Sequence, residues 1–304
     1  MLADNHCVGC VLNQVIRVCE YAGVNQGRKD LIFKKALQRA AEIDLKKMSS
    51  PEFAEKIYRV FSDISGEKDP YEKLRKEQND LILDKIDFFR EKIRDSSDPL
   101  KKSAIYSLTG NIIDYGAVRL FNPGELFQHF DDVQLSIDDY TEFRRRLRKG
   151  GKILIIGDNA GEAVFDRLFI EEMRRFNPSV TIVYGVRSAP AINDMLEEDA
   201  RYIGLDKVAE VVKTGSTFAG TDISKSTKQF QKIYHNADIV ISKGQGNFET
   251  LEEEGRDILF ILKVKCEVVA RHANLKLGSR LFAFNNTLKA GRVNPTGKAG
   301  KLGF

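Results

Sequence analysis

Ile153-Leu154-Ile155-Ile156-Gly157-Asp158-Asn159-Ala160-Gly161-Glu162-Ala163-Val164 is the stretch whose reading decides the fold. Ile153 to Ile156 form a short, wholly apolar run of the kind that fits a strand buried on both faces of a parallel sheet. The residues that follow therefore sit at that strand's carboxyl end. A dinucleotide fold places glycines there so that the backbone approaches a pyrophosphate. This turn carries an acid and an amide instead, Asp158 and Asn159, which are hard oxygen donors suited to a divalent cation. Either is also a common helix N-cap, but a helix needs only one cap residue.

Outward from this strand the same texture repeats. Lys152 to Ile156, Val180 to Val186, Val208 to Val212, Ile239 to Ser242 and Ile258 to Val264 read as strands. Amphipathic segments near 161 to 176, 192 to 203, 224 to 236, 247 to 254 and 266 to 277 read as helices between them. Regular alternation of this kind produces βαβ units, a parallel sheet and right-handed crossovers. The expected class is α/β, a doubly wound, mainly parallel sheet over residues 149–304, with a helical domain over residues 1–148.

The helical half rests on spacing. Leu31, Ile32, Ala36, Leu37, Ala40 and Ile43 recur at helical intervals among lysines and arginines, and Leu74, Leu81, Ile82, Ile86, Phe89 and Ile93 repeat the pattern. Ser50-Pro51, Asp69-Pro70, Asp98-Pro99 and Asn122-Pro123 mark helix starts or turns, and no alternating strand is expected before residue 145. The tail from Asn294 to Phe304 reads as a surface extension.

With 304 residues, 42% hydrophobic and 30% charged, the chain has the composition of an ordinary globular protein. No segment reaches the roughly 18 apolar residues of a membrane span, and the N-terminus lacks a signal peptide's basic start and apolar core. A formal charge of +4 implies no whole-protein field for nucleic acid. Four cysteines without a secretory signal point to a reducing, cytoplasmic setting.

In a parallel sheet, ligands bind beyond the strand carboxyl ends, so the turns there are read together. Asp194 follows the second strand, and with Asp158 and Asn159 it gives two carboxylates and an amide. Lys243-Gly244-Gln245-Gly246-Asn247-Phe248-Glu249 follows the fourth strand. Its glycines allow close backbone approach, and Lys243 offers a charge to a phosphate. Lys265 ends the fifth strand. Cys7-Val8-Gly9-Cys10 has the spacing of half a zinc site or a redox pair, which His6, Cys19 or Cys266 could complete in space. The basic run Arg144 to Lys149 suits a helix C-terminus, with nucleic-acid binding as the competing reading.

The ordered set of motifs resembles the damage-control phosphatase family with an ARMT-like metal-binding domain, also called domain-of-unknown-function family 89. Cys7-Val8-Gly9-Cys10 resembles the N-terminal cysteine pair of its prokaryotic branch. Gly110-Asn111-Ile112-Ile113-Asp114 resembles its helical-domain motif. Gly157 to Glu162, Asn193-Asp194, Lys243 to Glu249 and Lys265-Cys266 match its α/β signatures in order.

The resemblance implies a divalent metal, manganese, nickel, cobalt or magnesium, held by Asp158, Asn159 and Asp194, and hydrolysis of small phosphomonoesters by metal-activated water. Sugar phosphates or damaged phosphometabolites are the implied substrates, with metabolite repair the implied role. Lys265 takes the place of a phosphate-contacting lysine, although the arginine of the eukaryotic Arg-Thr-x-Lys motif is absent from Leu262-Lys263-Val264-Lys265. Lys243, Gly244, Asn247, Glu249, Asn111 and Asp114 become candidate substrate contacts, and Cys7 and Cys10 candidate ligands of a second metal. Asp158 as a covalent nucleophile competes with its role as a metal ligand.

Two other functions fit parts of the chain. One, implied by the resemblance alone, is a carboxyl methyltransferase using S-adenosylmethionine, against which stand the acid and amide in the first turn and the lack of an acid in Tyr184-Gly185-Val186-Arg187. The other is a non-enzymatic metal- or RNA-binding module using the basic run and tail.

Overall fold

The computed structural model describes residues 1–110, 130 and 133–293. Six helices come first: α1 (Asn5–Tyr21), α2 (Gln26–Glu42), α3 (Ser50–Ser65), α4 (Glu72–Leu83), α5 (Ile86–Arg94) and α6 (Pro99–Gly110). Pro51 and Pro99 act as helix starts, Asp69-Pro70 is a turn just ahead of α4, and Asn122-Pro123 lies outside the described residues. Ser49 caps α3, its backbone N–H donating to Glu52 at 2.9 Å, with Pro51 in the first turn. Asp98 accepts from the Lys101 amide at 3.1 Å, just ahead of the first turn that Pro99 opens.

β1 (Ile137–Asp138) and α7 (Tyr140–Arg148) lead into the alternating half. It runs β2 (Lys152–Ile156), α8 (Glu162–Phe176), β3 (Thr181–Val186), α9 (Glu197–Tyr202), β4 (Glu210–Lys213) and α10 (Lys228–Asn236). Then come β5 (Ile239–Lys243), α11 (Gln245–Leu251), β6 (Ile258–Lys263), α12 (Glu267–Ala273), β7 (Arg280–Phe284) and α13 (Asn285–Val293).

The seven strands form one sheet in the order β1-β7-β6-β5-β2-β3-β4. Every pair is parallel except β6 with β7. All five expected strands are present, and two more appear. β1 is only two residues long, too short to show alternation, and it lies inside the stretch expected to be wholly helical. β7 is the antiparallel addition to the far side of the sheet.

β2 pairs with β3 on one side and β5 on the other, so the chain winds outward from β2 in both directions. The crevice of a doubly wound sheet opens at such a reversal, beyond the carboxyl ends of the two central strands. Here that places it between the turns after β2 and β5.

Both faces of the sheet are covered. Ile153 and Ile155 pack into one core with α8, and Leu154 and Ile156 into the other with Phe230, Phe248 and Val269. Ile82, Phe89 and Tyr106 from α4 to α6 join the first of these cores, where the Phe89 and Phe165 rings meet edge-on at 4.8 Å. Helices α1 to α3 hold a separate core around Val15, Val18, Ile32, Phe53 and Phe61. The basic run ends α7, where Arg145 and Arg146 pair with Glu142 at 2.6 and 2.7 Å and Arg146 also reaches Asp257 at 2.7 Å. Among the described residues, no helix is long and apolar enough to cross a membrane.

Candidate active site

The turn after β2 does not cap a helix with Asp158 or Asn159. Gly161 occupies the N-cap position of α8, at φ +76°, and makes no side-chain cap bond. Its amide instead donates to Asn79 Oδ1 on α4 at 2.7 Å. The turn is also tied to the one after β3. The Met195 amide donates to the Asp158 carbonyl at 2.8 Å, and the Ala160 amide to the Asn193 carbonyl at 2.9 Å. These bonds make an antiparallel bridge between Asn159 and Asp194. The two carboxylates and the amide singled out by sequence are thus brought together from separate crossovers.

Asp158 and Asp194 are both buried. Asn159 donates from its amide nitrogen to Asp158 Oδ2 at 2.7 Å and, more weakly, to Glu162 Oε2 at 3.5 Å. The two ends of an amide are alike in shape, so half a turn about its last bond presents the oxygen in place of the nitrogen. Burial raises the Asp194 carboxyl above its ordinary range, while Arg187 opposes that shift. Arg187, itself buried, donates to Asp194 Oδ2 at 2.6 Å, to Thr221 at 2.8 Å and to Asn247 Oδ1 at 3.1 Å. It fixes the carboxylate from behind.

Lys243 takes a different place from the one expected for a phosphate contact. Its ammonium is buried and meets Glu162 Oε1 and Asp166 Oδ1 at 2.5 Å each and the Ser107 carbonyl at 2.9 Å. An ammonium has three donors, and these acceptors use them all. Asp166 is further held by Ser107 at 2.6 Å and by the Tyr184 hydroxyl at 2.7 Å. Burial works against the lysine's charge, but Asp166 and Glu162 more than offset it and hold its pKa above the usual value. Burial, together with the negative charges of Asp158 and Asp166, leaves Glu162 pushed up to about 7 despite Lys243.

Four carboxylates, Asp158, Glu162, Asp166 and Asp194, are therefore buried around two cations, Lys243 and Arg187. Among these six side chains the carboxylates outnumber the cations by two when all four ionise, and gathering like charges in a buried site is costly. A hard divalent cation at Asp158, Asn159 and Asp194 matches the donor chemistry and the local excess of carboxylates.

The other expected residues divide by role. A Cβ at Gly244, at φ +77°, would collide with the Asp158 carboxylate, and one at Gly246 with the Ala219 carbonyl, so protein contacts alone require both glycines. Asn247 is buried and donates to the Gly157 and Lys243 carbonyls at 2.9 and 2.8 Å, latching the turns after β2 and β5 together. Lys265 is exposed, its charge acts on Asp194, and it lines a cavity of 580 Å³ with Gln245, Gly246, Glu249 and Ile192. Glu249 is buried there, and desolvation leaves it pushed up to about 7. Asn111 and Asp114 lie outside the described residues.

Cys7, Cys10 and Cys266 line the same cavity, whereas Cys19 sits in the core of α1 to α3. All four thiols are free. Burial pushes the Cys10 and Cys266 thiols up, away from the thiolate form. Among the described residues, the three-donor groups of His, Cys, Asp and Glu within 4.8 Å of one another reduce to Glu252, Glu253 and His272. There the Glu252 carboxylate already meets His272 Nε2 at 2.6 Å and lies 3.7 Å from the Met1 amine.

Sequence reasoning missed Arg187, Asp166 and Asn79. An arginine closing an apolar strand and an acid four residues after Glu162 on an otherwise apolar helix face were signals for the first two. Asn79 carried no signal, because it acts only after α4 docks.

Comparison with known proteins follows the same line. A family model described as the damage-control phosphatase ARMT1-like domain matches residues 3–281. A damage-control phosphatase of Pyrococcus horikoshii is 30% identical over 297 residues, covering 95% of this chain and all of that protein. One of Archaeoglobus fulgidus is 31% identical over 278 residues, covering 90% and 95%. The crystal structure of a DUF89 family protein from Pyrococcus horikoshii aligns with a TM-score of 0.87 at 27% identity, covering 94% of this chain and 99% of that one.

Two predictions follow from the buried charges. Replacing Lys243 by Met leaves Glu162 and Asp166 without their cation, and chemical denaturation should show a loss of about 3–5 kcal/mol. An undiminished stability would contradict the burial of that network. Glu249 has its folded pKa raised from 4.5 to about 7, facing Cys10, Cys266, His272 and the Met1 amine. The folded state holds the proton longer than the unfolded one, so its contribution is full below 4.5 and is lost as pH rises to about 7. The loss is on the order of 3 kcal/mol. Glu249→Gln should therefore match the wild type in urea near the acid limit and outlast it above neutrality.

Proposed function

Because this chain belongs to the family built on the damage-control phosphatase ARMT1-like domain, we propose that it is a divalent-metal-dependent phosphatase of small phosphomonoesters, sugar phosphates or damaged phosphometabolites. The observation that carries this reading is the backbone bridge between Asn159 and Asp194, which joins two carboxylates and an amide at the sheet's switch point. Phosphatase activity in the relatives' names supports it.

Asp158, Asp194 and the Asn159 side-chain oxygen would hold the cation. Oxygen donors of this kind accept manganese, nickel, cobalt or magnesium. When bound, such an ion supplies Lewis acidity to a phosphoryl oxygen and acidifies the attacking water.

The protein's own residues do the rest. Arg187 keeps Asp194 from turning away, and Asn247 and Gly244 hold the neighbouring turn against Asp158. Lys265, exposed on the cavity wall, binds the phosphate and offsets its charge. Lys243 serves as the fixed counter-charge of Glu162 and Asp166. Glu249 would face the leaving group from the same cavity, and the motif resemblance alone makes Asn111 and Asp114 candidate substrate contacts. Water is the proposed nucleophile, since Asp158 would hold the cation and that role competes with a covalent one for the same carboxylate.

Phosphate release from a panel of sugar and nucleotide phosphates tests the proposal, after chelation and readdition of single metals. Wild-type release should return with the metal, and Asp158→Ala should lower it by about a hundredfold or more. Lys265→Ala should raise KM about tenfold, the worth of one charge-assisted hydrogen bond. Release that needs no metal, or that survives in Asp158→Ala, would refute the assignment.

A further inference from the structure

Helix α4 touches both of the turns that carry Asp158, Asn159 and Asp194. Asn79, fully buried, accepts the Gly161 amide at 2.7 Å and so closes the turn after β2. Its neighbour Gln78, also buried, accepts from Asn193 Nδ2 at 3.1 Å and so reaches the turn after β3. The backbone carbonyl of Gln78 lies against Gly161, where an added Cβ would come within 3.2 Å of it. Neither turn is complete within the sheet.

The second turn is also strained. The Asp194 amide donates to the Ala191 carbonyl at 3.0 Å, and Ile192 between them adopts φ +51°. A positive φ at the first central position of a turn favours glycine, and a β-branched residue there is costly. The Ile192 side chain packs against the core of α1 to α3, which holds the backbone in that conformation.

Helix α4 is itself anchored to the α/β half. Arg75, one turn before Asn79, donates to Asp199 at 2.7 Å and to both oxygens of Asp69 at 2.7 and 2.8 Å. The helix is therefore a fixed support.

The amides carry a further mark. Gly161 N–H can only donate, so Asn79 must turn its oxygen toward it, and its nitrogen is then buried without a hydrogen-bond partner among the described residues, as is that of Gln78. Unsatisfied buried donors cost stability. An aspartate would accept the same bond without an orphaned nitrogen, but it would add a charge beside four buried carboxylates. A neutral acceptor is what this position needs.

We infer that Gln78 and Asn79 are positioning residues that set the metal affinity of the Asp158, Asn159 and Asp194 site from the helical side of the cleft. The inference rests on the metal-site reading proposed above. By linkage, metal binding should stabilise the docking of α4 in return.

The test is calorimetric titration of the full chain with manganese(II) alone, alongside thermal unfolding of the metal-free proteins. Wild type should bind, and Asp158→Ala should not. Asn79→Leu should bind about 10–100-fold more weakly, as loss of a supporting hydrogen bond behind a ligand does. Gln78→Met should move in the same direction and serves if Asn79→Leu does not fold. Leu288→Ala, on α13 against β6 and β7, lowers thermal stability away from both turns and from the core of α1 to α3, and should leave affinity unchanged. Amide exchange across 158–161 should quicken in metal-free Asn79→Leu. If wild type fails to bind, or Asp158→Ala binds equally well, the metal-site reading fails. If that reading holds while Asn79→Leu and Gln78→Met bind as tightly as wild type, or Leu288→Ala weakens binding as much, the positioning role is overturned.

Discussion

The Lys243 ammonium, enclosed by Glu162, Asp166 and the Ser107 carbonyl, joins three elements that sequence separates widely. It ends β5, its acidic partners open α8, and Ser107 belongs to α6. Removing Lys243 strands two carboxylates in a medium that solvates them poorly, so the docking of the three elements is strongly coupled. The turn between β2 and α8 inherits its position from that docking. Asp158 and Asn159 are presented from a segment anchored at both ends, by β2 in the sheet and by Glu162 on Lys243.

Around this centre, among the described residues, carboxylates gather in excess. Arg187 answers Asp194 and Lys243 answers Glu162 and Asp166, yet the acids still outnumber the bases. Structural ion-pair networks normally approach neutrality, because an unpaired buried charge opposes folding. A site that retains excess negative charge at the switch point of an open sheet is suited to recruiting a cation, and the stability it forgoes without one is returned on binding. The helical segment takes part as well: Asn79, Gln78 and Ile192 tie the turns after β2 and β3 to α4 and to the core of α1 to α3.

The sheet was legible in the sequence because strands buried on both faces leave continuous apolar runs, as at Ile153 to Ile156 and Ile258 to Leu262. Asp158, Asn159 and Asp194 were legible because topology assigns the residues after such strands to one edge. What stayed hidden depends on tertiary contact. β1 is too short for a periodic signal, and only its pairing with β7 makes it a strand. Lys243 follows a buried strand just as Lys265 does, and nothing local distinguishes the one enclosed by acids from the one exposed on the cavity wall. Gly244 and Gly246 resembled a ligand-cradling turn, yet Asp158 and the Ala219 carbonyl account for both. The cysteine spacing placed Cys7 and Cys10 on one helix, but only the fold shows that Cys266 shares their cavity and Cys19 does not.

The most direct test of the cation site is anomalous diffraction from crystals grown with manganese. A peak bounded by Asp158, Asn159 and Asp194, absent from Asp194→Asn crystals, is the expected result. A manganese peak at Glu252 and His272 with none between the two turns would contradict the account.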